Sequence, residues 1–165
     1  MLILGIDPGY AIIGWGLIRF ERGKYIPVDF GAITTEAGLP FNRRLEMIYD
    51  QLSALLDTHH PDAVSVEKLY FQTNAKTAID VAQARGVIML ALQKHNVPVY
   101  EYTPLQVKSA VTGFGQAQKP QVMEMTKRLL RLKAVPKPDD TADALAIAIC
   151  HGHSGASRLA KYFNN

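Results

Sequence analysis

Residues 2–7, LILGID, are branched and apolar and stop at Asp7-Pro8-Gly9, which predicts a short buried strand ending in a turn. Residues 11–19 predict a second strand, in which Gly14 and Gly16 leave room for something to approach closely. Glu21-Arg22-Gly23-Lys24 has the composition of a hairpin turn, and residues 25–34 return as a third strand with Pro27 marking an edge. The chain therefore opens as a three-stranded antiparallel meander.

The period then changes. Phe41, Leu45, Ile48, Leu52 and Leu55 fall on one helical face, widened by Tyr49 and Leu56, and His59-His60-Pro61 ends it. Ala63–Glu67 is a fourth strand. Residues 75–95 form a long helix, apolar nearly all round between Gly86 and Leu92, a pattern that calls for cover on two sides. Val97–Tyr102 is a fifth strand, bounded by Pro98 and Pro104. Helices follow at about 104–111 and 119–132, separated by Gly113 and Gly115, and a last one runs from near Asp139 through TADALAIAIC to His151. Strands 1, 4 and 5 are joined by helical crossovers and should be parallel, with strands 2 and 3 hairpinned on one edge. The expected fold is α/β: a mixed five-stranded sheet flanked by helices.

The chain has 165 residues, enough for one domain that buries roughly two-thirds of its unfolded surface. No repeat or linker interrupts it, so residues 1–153 are expected to be one domain and residues 154–165 a loose tail. Cys150 is the single cysteine, which excludes an internal disulfide and any cysteine-cluster zinc site; its place on an apolar helix face predicts burial. The start MLILGIDPGY lacks a basic region and a long apolar stretch, and Ala144–Cys150 is too short to span a bilayer. A soluble intracellular protein with no membrane partner is the expectation. Net charge is +3, but unevenly placed: residues 1–103 carry 9 Lys/Arg against 11 Asp/Glu, and residues 104–165 carry 9 against 4. Lys119, Lys127, Arg128, Arg131, Lys133 and Lys137 form a basic stretch interrupted by Glu124, which suits an anionic partner as well as a solvated helix face.

Chemistry in an open α/β sheet sits at the carboxyl ends of its parallel strands. Asp7 ends strand 1 and Glu67 ends strand 4, each the sole charge in an apolar strand. On neighbouring strands they would stand about 5 Å apart at the backbone, where two anions repel unless a cation lies between them. An all-oxygen site favours Mg²⁺ or Mn²⁺ over zinc. In the last helix Asp143 precedes the apolar run ALAIAIC, with Asp140 three residues and Asp139 four residues before it; spacing leaves open which of the two joins the site and which is a cap. Four such acids can hold two ions roughly 4 Å apart, which would activate a water and stabilise the leaving oxygen of an in-line phosphoryl displacement. Each acid taken singly also suits a turn, a strand end or a cap. His59, His60, His95, His151 and His153 show no ligand spacing and are expected mostly at the surface, and no nucleophilic triad competes.

Tyr70 and Phe71 follow Glu67 in a polar loop with Gln72, Thr73 and Asn74. Aromatics there can stack on splayed bases or pack beneath the loop; the expectation is one exposed, Tyr70, and one buried. Lys108 and Lys119 flank a glycine-bearing loop, and Lys119 precedes Pro120 at a helix start; both suit phosphate contacts or plain solvation.

Taken together, GIDPG at 5–9, VEKLY at 66–70, NAKTAIDVAQARGV at 74–87, VYEYTPLQVK at 99–108 and DDTADALAIAICH at 139–151 resemble the bacterial RuvC junction resolvases of the RNase H-like superfamily. The resemblance runs from residue 1 to 153. It implies an RNase H-like fold and a four-carboxylate site at Asp7, Glu67, Asp140 and Asp143, with Asp139 a neighbour. It also implies Mg²⁺ as cofactor, two ions per subunit with Mn²⁺ able to substitute, and Lys108 and Lys119 on phosphates. Tyr70 matches the family's stacking aromatic, often phenylalanine in relatives, so Phe71 stays as the alternative and Gln72 as a further DNA contact. The family acts as a homodimer that nicks four-way DNA junctions symmetrically beside a RuvA/RuvB-type branch-migration complex in the bacterial cytoplasm. The rival readings are an actin/hexokinase-like ATP-binding domain, a catalytically dead junction binder and an RNA-directed relative. Chain length argues against the first, the intact acids against the second, and residues 66–87 and 99–119 against the third.

Overall fold

The computed structural model describes residues 1–69 and 75–156. Its strands are β1 (Leu2–Asp7), β2 (Ile12–Glu21), β3 (Lys24–Thr34), β4 (Ala63–Glu67) and β5 (Val99–Tyr102). Its helices are α1 (Phe41–His59), α2 (Ala75–Lys94), α3 (Pro104–Thr112), α4 (Lys119–Leu129) and α5 (Asp139–Ala156). The sheet order is β3-β2-β1-β4-β5. β1–β2 and β2–β3 pair antiparallel, β1–β4 and β4–β5 parallel, so the mixed sheet expected from the pattern forms. β3 is the edge that Pro27 marked. Its register steps there, with Ile18 facing Pro27 and Leu17 facing Asp29, which bulges Val28 out of the ladder.

Period-two alternation divides β1 between two cores. Leu4 and Ile6 face α1 and α2, packing with Ile48, Leu52, Ile88 and Leu92. Ile3 faces the other three helices, packing with Val107, Val122, Leu145 and Ile149. α2 has the second apolar face its sequence called for: Ile79 is 63% and Leu90 55% exposed while Ile88 and Leu92 are buried.

What Gly14 and Gly16 make room for is α5. A Cβ at Gly14 would lie 1.9 Å from the Asp140 carbonyl oxygen, one at Gly16 2.6 Å from the Leu145 side chain, and one at Gly5 2.0 Å from the Ala144 carbonyl oxygen. Small residues on both sides let the helix lie directly on the β1–β2 backbone. Thr141 secures its first turn, the hydroxyl donating to the Gly31 carbonyl at 3.0 Å.

Three expectations need correction. α4 ends at Leu129, not 132, because Arg131 takes a left-handed backbone (φ 54°). α5 runs to Ala156, past the His151 at which it was expected to end; residues 157–165 lie outside the described ones. The histidines are not mostly superficial: His60 and His153 are exposed, His59 and His95 half-buried, and His151 buried. His151 continues the buried face of α5, where the Tyr102 hydroxyl meets its Nδ1 at 2.7 Å, and burial lowers its pKa. Cys150 is buried, as expected. No helix among the described residues is long and apolar enough to cross a membrane.

Candidate active site

The parallel register of Ile3–Ile6 on Ala63–Val66 brings the next residues, Asp7 and Glu67, to adjacent strand ends. α5 starts over the same edge, since Asp140 is packed on Gly14 and Gly14 pairs with Asp7. The charges act on one another accordingly. Burial, and then Asp143, Glu67 and Asp140, hold the Asp7 carboxyl well above its ordinary value. Burial and Asp143 raise Glu67. Burial also raises Asp143, against the pull of Lys119. Half-buried acids from β1, β4 and α5 thus crowd one sheet edge closely enough to disfavour one another's ionisation.

Two of the expected lysines reach it. Lys119 Nζ lies 2.7 Å from Asp143 Oδ2. Burial alone would lower its pKa, but the Asp143 hydrogen bond and the charges of Asp143, Asp139 and Asp7 outweigh this and raise it. Lys108 lies near enough to Glu67 to oppose the rise in its pKa. Asp139 and Asp140 both raise Asp143, but Asp139 bonds Lys137 Nζ at 2.6 Å and is held below its ordinary value by that bond, while Asp140 also raises Asp7. Tyr70, Phe71 and Gln72 lie outside the described residues.

Among the described residues no three acid, histidine or cysteine side chains stand close enough to ligate one ion as they are. The donor set nevertheless fits a hard divalent cation. It is all carboxylate oxygen, and repulsion among the acids is offset by the Lys119 ammonium.

One bracing contact near the site escaped the sequence. Arg44 on α1 donates from Nε to Thr35 Oγ1 at 2.8 Å, and its guanidinium lies 4.7 Å from the centroid of the Tyr10 ring. Thr35 donates to the Tyr10 carbonyl at 2.7 Å. This clamp fixes the loop that follows Asp7. Nothing in the helical period distinguishes Arg44 from its exposed neighbour Arg43, which pairs with Glu46; an arginine in a first turn that lacks acids was the available signal.

Residues 3–151 match the family model described as crossover junction endodeoxyribonuclease RuvC. The chain belongs to the RuvC family. It is 60% identical over 151 residues to the crossover junction endodeoxyribonuclease RuvC of Brevibacillus brevis, covering 92% of this chain and 91% of that one. It is 53% identical over 165 residues to the same-named protein of Clostridioides difficile, covering 100% and 96%. Among solved structures it resembles T. thermophilus RuvC in complex with a Holliday junction substrate, with TM-score 0.86, 32% identity, and 94% and 96% of the two chains covered. The yeast mitochondrial Holliday junction resolvase Ydc2 shares the fold at 16% identity, with TM-score 0.70 over 98% and 83%. The RNase H-like architecture expected from the motifs is therefore present, and RuvC-family enzymes depend on a divalent metal.

Proposed function

We propose that this RuvC-family chain is a structure-specific endonuclease that resolves four-way DNA junctions by paired symmetric nicks in recombination and repair, leaving 5′-phosphate and 3′-hydroxyl ends. What supports the reading is the crowding of Asp7 by Asp143, Glu67 and Asp140 at one sheet edge, in a chain similar along its length to crossover junction endodeoxyribonucleases. These four acids would hold two Mg²⁺ ions per subunit, and Mn²⁺ would substitute. When bound, the ions supply the positive charge for water activation and leaving-oxygen stabilisation.

The chain's own residues do the rest. The Arg44 clamp and the adjacent strand ends keep Asp7 beside Glu67, while Thr141 and Gly14 seat the turn that carries Asp140 and Asp143. Lys108 and Lys119 hold phosphates on the open side. Lys119 offsets the acids through its contact with Asp143, a charge that bound ions would supply in its place. Tyr70 would stack at the junction centre, with Phe71 the alternative and Gln72 adding a polar contact. The exposed Ile79 and Leu90 on α2 support pairing of two copies, which gives one two-fold axis, two sites and two cuts. A RuvA/RuvB-type motor in the bacterial cytoplasm would be the working partner.

The test is a gel of a synthetic four-way junction beside a linear duplex and an RNA duplex. Paired nicks should appear in the junction only with added Mg²⁺, and Asp7→Asn should abolish them with junction binding nearly intact. Cutting retained by that variant would remove the metal-site argument.

A further inference from the structure

Beside the acid pocket, the loop between α3 and α4 and the outer face of α4 enclose an open groove of about 500 Å³. Phe114 and Met125 line it, Pro120 stands at one end and Arg128 at the other. Pro120 follows Lys119, so the groove leads away from the pocket at the point where the Lys119 ammonium meets Asp143. From Lys119 to Arg128 the helix rises about 13.5 Å, roughly four steps of a B-form strand.

Phe114 is 58% exposed, yet the loop beneath it is fixed. Its N–H donates to Thr112 Oγ1 at 3.1 Å, and that hydroxyl lies 2.8 Å from the Lys108 carbonyl oxygen. Gly113 closes α3 in the left-handed conformation (φ 77°). Gly115 packs so closely that a Cβ there would lie 2.9 Å from both the Leu105 Cγ and the Ser109 Oγ. An apolar ring is thus held out in water on a braced loop, in a groove that Arg128 lines and whose Pro120 directly follows Lys119. The groove's carboxylate, Glu124, is neutralised by Lys127 at 2.7 Å and Arg128 at 2.8 Å. That combination complements a polyanion carrying flat, stackable rings.

We propose that Phe114 stacks on a nucleobase of the junction strand that leaves the acid pocket along this groove, with Lys119 and Arg128 holding phosphates at its two ends. The proposal rests on the endonuclease reading and adds an anchoring residue to it. Stacking tolerates any base, so the contact raises affinity across sequences.

The test measures junction affinity in an Asp7→Asn background, which prevents cutting, combined with Phe114→Ala, Phe114→Leu or Phe114→Trp. Alanine and leucine should each weaken binding roughly tenfold, the loss of one base–aromatic stack, and tryptophan should keep it. Abasic nucleotides placed one at a time within four steps of the nick should reveal one position where base removal and Phe114→Ala are non-additive. Arg128→Gln should reduce the salt slope of binding by about one. Leucine binding like wild type, no coupled abasic position, or an unchanged salt slope would each overturn the proposal. The parent protein is assayed for junction cutting in parallel. Failure there removes the endonuclease reading, whereas normal cutting with no coupled position removes only the stacking contact.

Discussion

Gly14→Ala tests the contact on which the whole site is built. Its methyl would lie 1.9 Å from the Asp140 carbonyl oxygen and 2.9 Å from the Thr141 nitrogen. Ordinary contact begins at 3.4 Å, so strand or helix must retreat by about 1.5 Å. The strand is held on both sides, Gly14 being paired with Asp7 on β1 and Ala32 on β3. The first turn of α5 is tied to the sheet by the Thr141–Gly31 hydrogen bond and to α4 by the Lys119–Asp143 ion pair, both at its rim, so the helix is expected to yield before the doubly paired strand and to take Asp140 and Asp143 with it. Overpacking of this kind costs about 1–3 kcal/mol and the lost hydrogen bond about 1 kcal/mol, for a total of about 2–4 kcal/mol in stability. Displacing catalytic groups by an ångström lowers a rate by about 10²-fold. Urea unfolding measures the first quantity and single-turnover cleavage of a junction at saturating Mg²⁺ the second. Junction affinity should change little, because Lys108 and Phe114 lie on α3 and the loop after it. A Gly14→Ala protein with wild-type stability and wild-type cutting would refute the claim that this contact seats α5.

Lys119→Met should destabilise the metal-free protein by about 1 kcal/mol, the scale of a half-exposed ion pair, and Mg²⁺ should narrow that gap; equal melting shifts with and without metal would contradict a compensating role. The metal-free protein should also lose stability as pH rises. Asp7, Glu67 and Asp143 keep protons above their ordinary values of 3.8, 4.5 and 3.8, so across the interval up to their raised values the folded state binds more protons than the unfolded one. Mg²⁺ affinity should rise over the same interval as the acids ionise. Unfolding curves of wild type and Asp7→Asn that run parallel with pH would rule this out. Tyr70→Ala should impair cutting far more than binding in parallel gel assays; if Phe71→Ala does so instead, the stacking assignment shifts by one residue.

Periodicity along the chain was enough to lay out the meander, the helical crossovers and the carboxyl edge at which Asp7 and Glu67 end their strands. Those features depend on neighbours two to four residues apart, and the sequence records them directly. The two-sided apolar pattern of α2 was legible for the same reason. Choosing between Asp139 and Asp140 was not, except by resemblance, because both begin one helix. In the folded chain Lys137, two residues away, holds Asp139, whereas Gly14, from the far end of the chain, packs on the Asp140 backbone. Gly14 and Gly16 announced that something comes close, and only the packed molecule shows that it is α5. The Arg44 clamp and the burial of His151 were invisible because each depends on a partner from a distant element, Thr35 and Tyr10 in one case and Tyr102 in the other. Sequence by itself determined which acids end which elements. Their mutual repulsion, the lysine that offsets it and the seating of the helix that completes the pocket are through-space effects, and they exist only once the chain has folded.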